Sequence, residues 1–336
     1  MHSRNVTGQR GANMRRIAML GVFNTAVVLS LVTTLWLGEN ASAQSPSVTS
    51  SGSGVSARPV TIPLTIRVKG TPREVELQSV DLAVTEDGDP QTILSIRAMG
   101  SNSPLNLAVL IQDDVVSSIG LEIKPLAAFI RRLPRGSRVA IGYLRTGTLQ
   151  LRQKFTPDLE RAAKALRPPL GVASAAPYNP YVEVIEALRR FESQPAGRRA
   201  ILLVSDGLDI SRGISSSSAA QSVDLERAIN EAQRSSVAIY SFFAPTTTSL
   251  GSGSLMADAQ GSLQRLSDDT GGQAFFQGLG VPTSFEPFIR ELSSALDRQI
   301  ALTYLSTHPG KGFHRVKISS SRPDVDVNYP RGYTRK

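Results

Sequence analysis

The chain has 336 residues, of which 40% are hydrophobic, so it is long enough for about two domains and can bury a sizeable core. Its 37 Lys and Arg residues against 28 Asp and Glu residues give a formal charge of +9, and it contains no Cys. The lack of Cys excludes disulfides, thiolate metal sites and cysteine nucleophiles, so an exported form of the chain must rely on its core.

Residues 1–43 have the pattern of an export signal. Several Arg residues precede an apolar run over residues 17–37, and Ala41-Ser42-Ala43 then provides the small residues of a signal-peptidase site. The run is close to the ~20 residues that span a bilayer, so an uncleaved membrane anchor is the alternative. We therefore expect an exported protein that is periplasmic, secreted or anchored to the outer face of the inner membrane.

The basic residues do not form a concentrated patch. Residues 1–43 contain four Arg and one Glu, so their removal lowers the formal charge from +9 to +6. The remaining cations are dispersed among acids, as at Arg189-Arg190 beside Glu186 and Glu192, and no aromatic stripe accompanies them. This pattern is typical of a solvated surface, so we expect no nucleic-acid partner.

A linker and a short β segment follow the export signal. Residues 44–58 are rich in Ser and Gly, which predicts a disordered linker. Residues 59–100 predict an N-terminal β segment with strands at Val60–Val68, Val80–Thr85 and Thr92–Arg97.

Residues 101–299 predict a Rossmann-like α/β domain, because strand patterns alternate with helical patterns along this stretch. The predicted strands are Leu105–Gln112, Arg138–Arg145, Leu149–Lys154, Ala200–Ser205 and Val237–Phe243. The predicted helices are Gly120–Leu133, Pro157–Leu166, Pro180–Glu192, Ala219–Ser235, Ala257–Thr270 and Ser284–Arg298.

Residues 300–336 return to short alternating runs and predict a C-terminal β segment. Its strands are expected at Ile300–Ser306, Phe313–Ser319 and Val325–Tyr329. Strands on both sides of an α/β core indicate that the two segments meet in one small antiparallel β subdomain.

Two strand patterns of the α/β domain end abruptly in carboxylates. Leu107–Ser118 (LAVLIQDDVVSS) and Ile201–Asp209 (ILLVSDGLD) read as buried parallel strands that deliver acidic loops to the carboxyl edge of a sheet, where ligands bind. Asp and Ser oxygens at such an edge suit Mg²⁺ or Ca²⁺. The alternative is that Asp206 caps a turn before Gly207, and that Asp113 or Asp114 caps the helix that follows.

Four segments carry a resemblance to the von Willebrand factor type A superfamily, specifically to the VWFA-related proteins of Acidobacteria. They are Asp81–Ile93 (DLAVTEDGDPQTI), Leu107–Gly120 followed by Pro125–Thr156, Arg198–Asp209 (RRAILLVSDGLD) and Phe313–Tyr333 (FHRVKISSSRPDVDVNYPRGY). The resemblance implies a Rossmann-like von Willebrand factor A domain with a β subdomain. It also implies a non-catalytic binding or adhesion module whose sheet edge meets a protein ligand.

The resemblance further implies a metal-ion-dependent adhesion site, with the pattern Asp-x-Ser-x-Ser, a Thr in a second loop and a later Asp. The metal ligands are then Asp113, Asp114, Ser117 and Asp206, for Mg²⁺ or another divalent cation. The second loop, residues 171–181, contains no Thr.

The first loop also departs from the adhesion-site pattern. If Asp113 or Asp114 is the leading Asp, the central Ser becomes Val115 or Val116. A third register places Gln112 at the leading position and Asp114 at the first Ser. A valine supplies no oxygen ligand, so we expect a degenerate site.

Two other functions remain open at this point. An exported metal-dependent hydrolase would use Asp113 or Asp114 with Asp206, and an architectural domain would keep the edge as a vestige. The sequence has no G-x-S-x-G motif and no P-loop, and His308 and His314 fall in the C-terminal β segment, far from the predicted edge. We therefore expect a protein that is not an enzyme.

Overall fold

The computed structural model describes residues 57–68, 81–99, 103–171, 179–195, 197–278 and 280–335, all within one compact unit. The predicted export signal, the apolar run over residues 17–37 and the linker up to residue 56 lie outside the described residues. Within the described residues, no helix is long and apolar enough to cross a bilayer.

The described strands fall into three groups along the chain: one near its start, one in its middle and one near its end. They are β1 (Arg58–Val68), β2 (Leu82–Glu86), β3 (Asp89–Ala98), β4 (Leu105–Gln112), β5 (Arg138–Arg145), β6 (Thr148–Thr156), β7 (Arg198–Ser205), β8 (Ala238–Phe243), β9 (Ala274–Phe275), β10 (Gln299–Ser306), β11 (Gly312–Ser320), β12 (Val325–Asn328) and β13 (Gly332–Arg335).

The described α-helices all lie between the two flanking groups of strands. They are α1 (Ile123–Arg131), α2 (Leu159–Lys164), α3 (Pro180–Arg189), α4 (Val223–Ser235), α5 (Thr247–Leu250), α6 (Gly253–Asp269) and α7 (Glu286–Asp297). A 3-10 helix, Ser117–Glu122, precedes α1, so the helix predicted at Gly120–Leu133 begins with tighter turns than expected.

The central sheet has the strand order β6-β5-β4-β7-β8-β9. The pairs β4–β5, β4–β7, β7–β8 and β8–β9 are parallel, whereas β5 and β6 form an antiparallel pair. Strand β4 is buried along its whole length, as expected for a parallel strand covered on both faces. The Rossmann-like part of the predicted fold class is therefore confirmed.

Helices cover both faces of the central sheet because the strand side chains alternate between the faces. Leu107, Val109 and Ile111 belong to a core that includes buried side chains of α1, α2 and α7. Ala108 and Leu110 belong to a second core that includes side chains of α3, α4 and α6. The result is the three-layer arrangement typical of a doubly wound α/β domain.

The flanking strands form a second, antiparallel sheet with the order β12-β1-β10-β3-β2-β11-β13. Strand β10 pairs with both β1 and β3, and β11 pairs with β2. The two ends of the chain therefore meet in one β subdomain, as the sequence predicted. Its core is separate and includes Leu64, Val84, Leu302, Tyr304 and Val316.

Buried polar contacts join the two sheets. Arg198, at the start of β7, donates from its guanidinium to Gln299 Oε1 at 2.9 Å and to the carbonyl oxygen of Leu296 at 2.7 Å. The Gln299 amide in turn donates to the Tyr240 hydroxyl at 3.0 Å. Because Arg198 bonds both to Leu296 of α7 and to Gln299 of β10, it holds the junction between this helix and this strand against β7. The predicted domain boundaries at residues 100 and 300 stay predictions.

Candidate functional site at the carboxyl edge

The loops after β4, β7 and β8 meet at the carboxyl edge of the central sheet, as parallel strands require. Gln112 is the last residue of β4, and Ser205 is the last residue of β7. After β8, Thr246 caps α5, and an isolated bridge pairs it with Val115 of the first loop. The three loops are therefore in direct contact.

Gln112 links β4 to β7 through its side-chain amide. Its Oε1 accepts hydrogen bonds from Ser205 Oγ at 2.5 Å and from the backbone N–H of Asp206 at 2.9 Å. Its Nε2 donates to Asp114 Oδ1 at 2.9 Å. Gln112, the leading residue of the third register, therefore accepts a hydrogen bond from the backbone of Asp206.

Asp206 is buried, and hydrogen bonds reach both of its carboxylate oxygens. Oδ1 accepts from the backbone N–H of Leu208 at 3.1 Å, and Oδ2 accepts from the Thr246 hydroxyl at 2.7 Å. The pKa of Asp206 is raised to about 6, mainly by burial. The charge of Asp114 adds to this rise, and the hydrogen bonds to the carboxylate oppose it. The Leu208 bond is the turn-capping role considered for Asp206 from the sequence.

Gly207 allows this turn to pack tightly. It has a φ of +73°, and a Cβ placed there would lie 2.5 Å from Leu263 Cγ of α6. Only glycine adopts this conformation without strain and also leaves the space free. The Ser-Asp-Gly sequence therefore holds Asp206 at the edge by backbone geometry.

Asp113 points to the other side of the first loop and is neutralised there. Its two oxygens accept from the Arg167 guanidinium at 2.6 and 2.9 Å, and Oδ1 also accepts from the backbone N–H of Leu170 at 3.1 Å. Arg145 lies 3.8 Å from Oδ2. Neither Asp113 nor Asp114 caps the following 3-10 helix, whose N-cap is Val116 without a side-chain bond.

The structure adds a buried acid that the sequence analysis did not single out. Glu183 of α3 is fully buried, and neither carboxylate oxygen has a hydrogen-bond partner among the described residues. Its pKa is raised to about 8, mainly by burial; the charges of Asp114 and Glu186 add to the rise and the nearby backbone groups of Arg145 and Thr148 oppose it, so the group is mostly protonated at neutral pH. The sequence pattern of α3 does not distinguish Glu183, because the pattern predicts which helix positions are buried and not that a buried position carries an unpaired acid.

The four predicted metal ligands do not form one group of converging oxygens. Asp113 faces Arg167 and Asp206 faces Thr246, while Ser117 is exposed at the start of the 3-10 helix. Within the described residues, the only three acidic or histidine side chains whose ligand atoms lie within 4.8 Å of one another are Glu86, Asp87 and His308 of the β subdomain. A cation that used Asp113 as a ligand would have to displace Arg167, so the four predicted ligands as placed do not fit one cation.

Exposed apolar side chains follow the carboxyl ends of several strands. Leu121 follows β4, Ile214 follows β7, Leu250 follows β8 and Phe276 follows β9. Leu170 joins them, because its backbone N–H bonds to Asp113. These five are half of the large exposed apolar side chains on the described residues; the others are Leu94, Val182, Val223, Val281 and Phe313. Apolar side chains that form a continuous exposed surface mark sites of contact with other molecules.

The chain matches several solved structures, although no known protein family and no curated protein matches its sequence. An aerotolerance-related membrane protein from Bacteroides fragilis NCTC 9343, with multiple mutations to serines, is 12% identical; the match covers 57% of this chain and 98% of that one, with a TM-score of 0.38. The conserved hypothetical protein BatB from Bacteroides thetaiotaomicron is also 12% identical; the match covers 57% of this chain and 97% of that one, with a TM-score of 0.38.

A von Willebrand factor type A protein from Catenulispora acidiphila is 13% identical to this chain. The match covers 76% of this chain and 74% of that one, with a TM-score of 0.40. One of these three proteins thus carries the name of the family that the sequence resembles. The acidobacterial part of that resemblance stays a prediction, and these values assign no activity to the chain.

Proposed function

We propose that the chain is an exported, non-catalytic binding module whose carboxyl sheet edge contacts a protein ligand. The observation that carries this proposal is the placement of exposed apolar side chains in the loops after β4, β7, β8 and β9. Protein-binding surfaces combine such side chains with a polar rim. Arg145 and Arg167 supply polar groups near Leu170, because all three contact Asp113.

The polar network under this surface supports binding rather than catalysis. The Ser205 hydroxyl donates to Gln112 and accepts from the backbone N–H of Gly207 at 2.9 Å, so no base faces it. Asp206 is held by Leu208 and Thr246. These bonds fix three loops against one another, which reduces the entropy that the loops lose when a ligand binds.

The adhesion site is part of the proposal in its degenerate form. Arg167 neutralises Asp113, which removes the need for a cation to do so. The Gln112 amide joins β4 to β7 in a position where the family pattern has a carboxylate. We therefore propose that the edge binds its protein ligand without a bridging divalent cation.

Site-specific photo-crosslinking in the native organism tests this function. One version of the full chain carries the crosslinking residue at Leu121, which is 78% exposed at the sheet edge. The matched control carries it at Leu94, which is 51% exposed on β3 of the β subdomain. We expect a discrete protein adduct from position 121, which mass spectrometry identifies, and none of that adduct from position 94.

Two outcomes would contradict the proposed function. Equal adducts from positions 121 and 94 would mean that the edge is not a specific surface. The absence of an adduct from position 121, and from a further version with the crosslinking residue at Leu170, would favour an architectural domain with a vestigial edge.

A further inference from the structure

A cluster of acidic and histidine side chains lies in the β subdomain, away from the sheet edge. The β2–β3 hairpin turns at Asp87 and Gly88, which have φ values of +52° and +100°, as a two-residue hairpin turn requires. This turn holds Glu86 and Asp87 beside His308, which follows β10, and His314 of β11. The cluster therefore joins residues more than 220 positions apart in the chain.

His308 presents one ring nitrogen to this cluster. Its Nε2 lies 3.1 Å from Asp89 Oδ2, so a carboxylate holds the far side of the ring. Its Nδ1 is buried, has no hydrogen-bond partner among the described residues, and lies 4.0 Å from Glu86 Oε1. A ring nitrogen in this position has a lone pair available for a cation.

His314 lies beside the same acids, but both of its ring nitrogens face oxygen acceptors, so a metal would replace the proton on Nδ1. Its Nε2 lies 2.8 Å from the carbonyl oxygen of Gly310. Its Nδ1 lies 2.8 Å from Asp87 Oδ2 and 3.3 Å from Glu86 Oε1. Histidines that bind metals donate the other ring N–H to a carboxylate or a backbone carbonyl, and His308 and His314 have one of each.

Glu86 provides the independent sign that a cation belongs here. Its side chain is fully buried, and Oε1 accepts hydrogen bonds from Ser306 Oγ at 3.0 Å and from the Tyr333 hydroxyl at 2.9 Å. The buried Tyr304 hydroxyl also interacts with this carboxylate. Oε1 is the oxygen that faces both histidines, and a cation bound there would stabilise the buried carboxylate charge.

We propose that Glu86, Asp87, His308 and His314 form a binding site for one divalent transition-metal ion, with Zn²⁺ as the expected occupant. Two imidazole nitrogens and two carboxylate oxygens form the mixed ligand set that Zn²⁺ accepts in tetrahedral geometry. One ligand atom each from Glu86, Asp87 and His308 already lies within 4.8 Å of the others. Bonds of about 2.0–2.1 Å place tetrahedral ligands about 3.4 Å apart, so small side-chain rotations close the site.

The metal would fasten the two ends of the folded chain. Glu86 and Asp87 belong to the N-terminal strands, and His308 and His314 belong to the C-terminal strands. The site is independent of the sheet edge, and no part of it rests on the proposed binding function.

Calorimetric titration of the full chain with Zn²⁺, after treatment with a chelator, tests the site. We expect one equivalent of Zn²⁺ to bind, and an unfolding midpoint that rises with Zn²⁺ concentration. His308→Asn and Glu86→Gln should weaken binding by at least 100-fold, and Asp89→Asn should weaken it by about 10- to 100-fold because it orients His308. Co²⁺ should give the visible absorption of a tetrahedral complex.

A matched control separates this site from the rest of the chain. Asp206→Asn alters the sheet edge and should leave Zn²⁺ binding unchanged, so loss of the proposed function does not affect this test. Circular dichroism checks that each variant folds. The proposal would be overturned if the natural protein bound no Zn²⁺ in the titration. It would also be overturned if the folded natural protein, His308→Asn and Glu86→Gln bound Zn²⁺ with equal affinity.

Discussion

The Asp113 carboxylate is 98% buried at the end of β4, with the Arg167 guanidinium paired to both of its oxygens. The sequence placed Asp113 at the sheet edge because its strand pattern ends there. It could not supply the partner, because Arg167 lies 54 residues later in a segment without a motif. A family pattern therefore predicted a metal ligand where folding produced an ion pair.

Arg167→Met should destabilise the protein by about 3 kcal/mol, at the low end for a broken buried pair because Arg145 remains nearby. Urea unfolding measures this change. The double variant Asp113→Asn with Arg167→Met removes the stranded charge, so it should recover much of the loss. Equal stability of the natural protein and Arg167→Met would show that the pair contributes nothing.

Glu183 makes the stability depend on pH. Its pKa in the folded protein is raised from 4.5 to about 8, so the folded state holds the proton more tightly than the unfolded state does. Stability from this group is therefore lost as the pH rises from about 4.5 to 8. The stability of Glu183→Gln relative to the natural protein should increase by about 1.4 kcal/mol per pH unit in this window.

Urea unfolding at several pH values checks the Glu183 prediction. The interval between about pH 7 and 8 is the most informative, because the Asp206 carboxyl, with a pKa of about 6, is largely deprotonated there. Glu192→Gln, at an exposed position near the end of the same helix, is the control and should show no such slope. A pH-independent difference for Glu183→Gln would contradict the assigned burial.

At the scale of elements, strands were predicted best where they are long and strongly apolar. The predicted β4 and β5 have the observed bounds, because a continuous apolar run bounded by turns leaves few alternatives. The sequence analysis missed β9 and β13, which have two and four residues. Pairing with β8 and β11 stabilises these two strands, and a local pattern does not report such pairing.

Deletion of residues 311–336 tests the assembly of the β subdomain. It removes β11, which pairs with β2 over Leu82–Glu86 and leaves β2 bonded only to β3. We expect hydrogen-exchange protection at Val84 to fall, because β2 becomes the edge strand of the remaining sheet and loses its hydrogen bonds to β11. Removal of residues 335 and 336 alone, which keeps β11, is the control. Unchanged protection at Val84 in the longer deletion would refute the pairing.

At the scale of the whole molecule, the sequence predicted both the α/β domain and the β subdomain, because their different periodicities of apolar residues occur in separate stretches of the chain. The flanking blocks alternate every second residue, and the middle block mixes apolar strands with helical patterns. The convergence of Glu86, Asp87, His308 and His314 was not predicted, because the hairpin and the C-terminal strands meet only in the folded chain. The sequence places His308 and His314 only in the C-terminal β segment, far from the predicted sheet edge.

Export is a prediction for the whole molecule that mass spectrometry can decide. If Ala41-Ser42-Ala43 is a signal-peptidase site, the mature protein should begin at Gln44. Ala43→Phe should block cleavage, because the site requires small residues. A mature protein that retains residues 1–43 in the membrane fraction would instead indicate an N-terminal anchor.

The most direct test of the central claim measures the affinity of the protein crosslinked at position 121, once purified, for the natural chain and two variants. Leu121→Asp introduces a charge at the sheet edge and should weaken binding at least tenfold, whereas Leu94→Asp on β3 should leave it unchanged. Affinity should be equal in Mg²⁺ and in EDTA, because Arg167 rather than a cation neutralises Asp113. Equal affinities of the two variants would contradict the sheet edge as the binding surface, and binding that requires Mg²⁺ would contradict an edge that works without a cation.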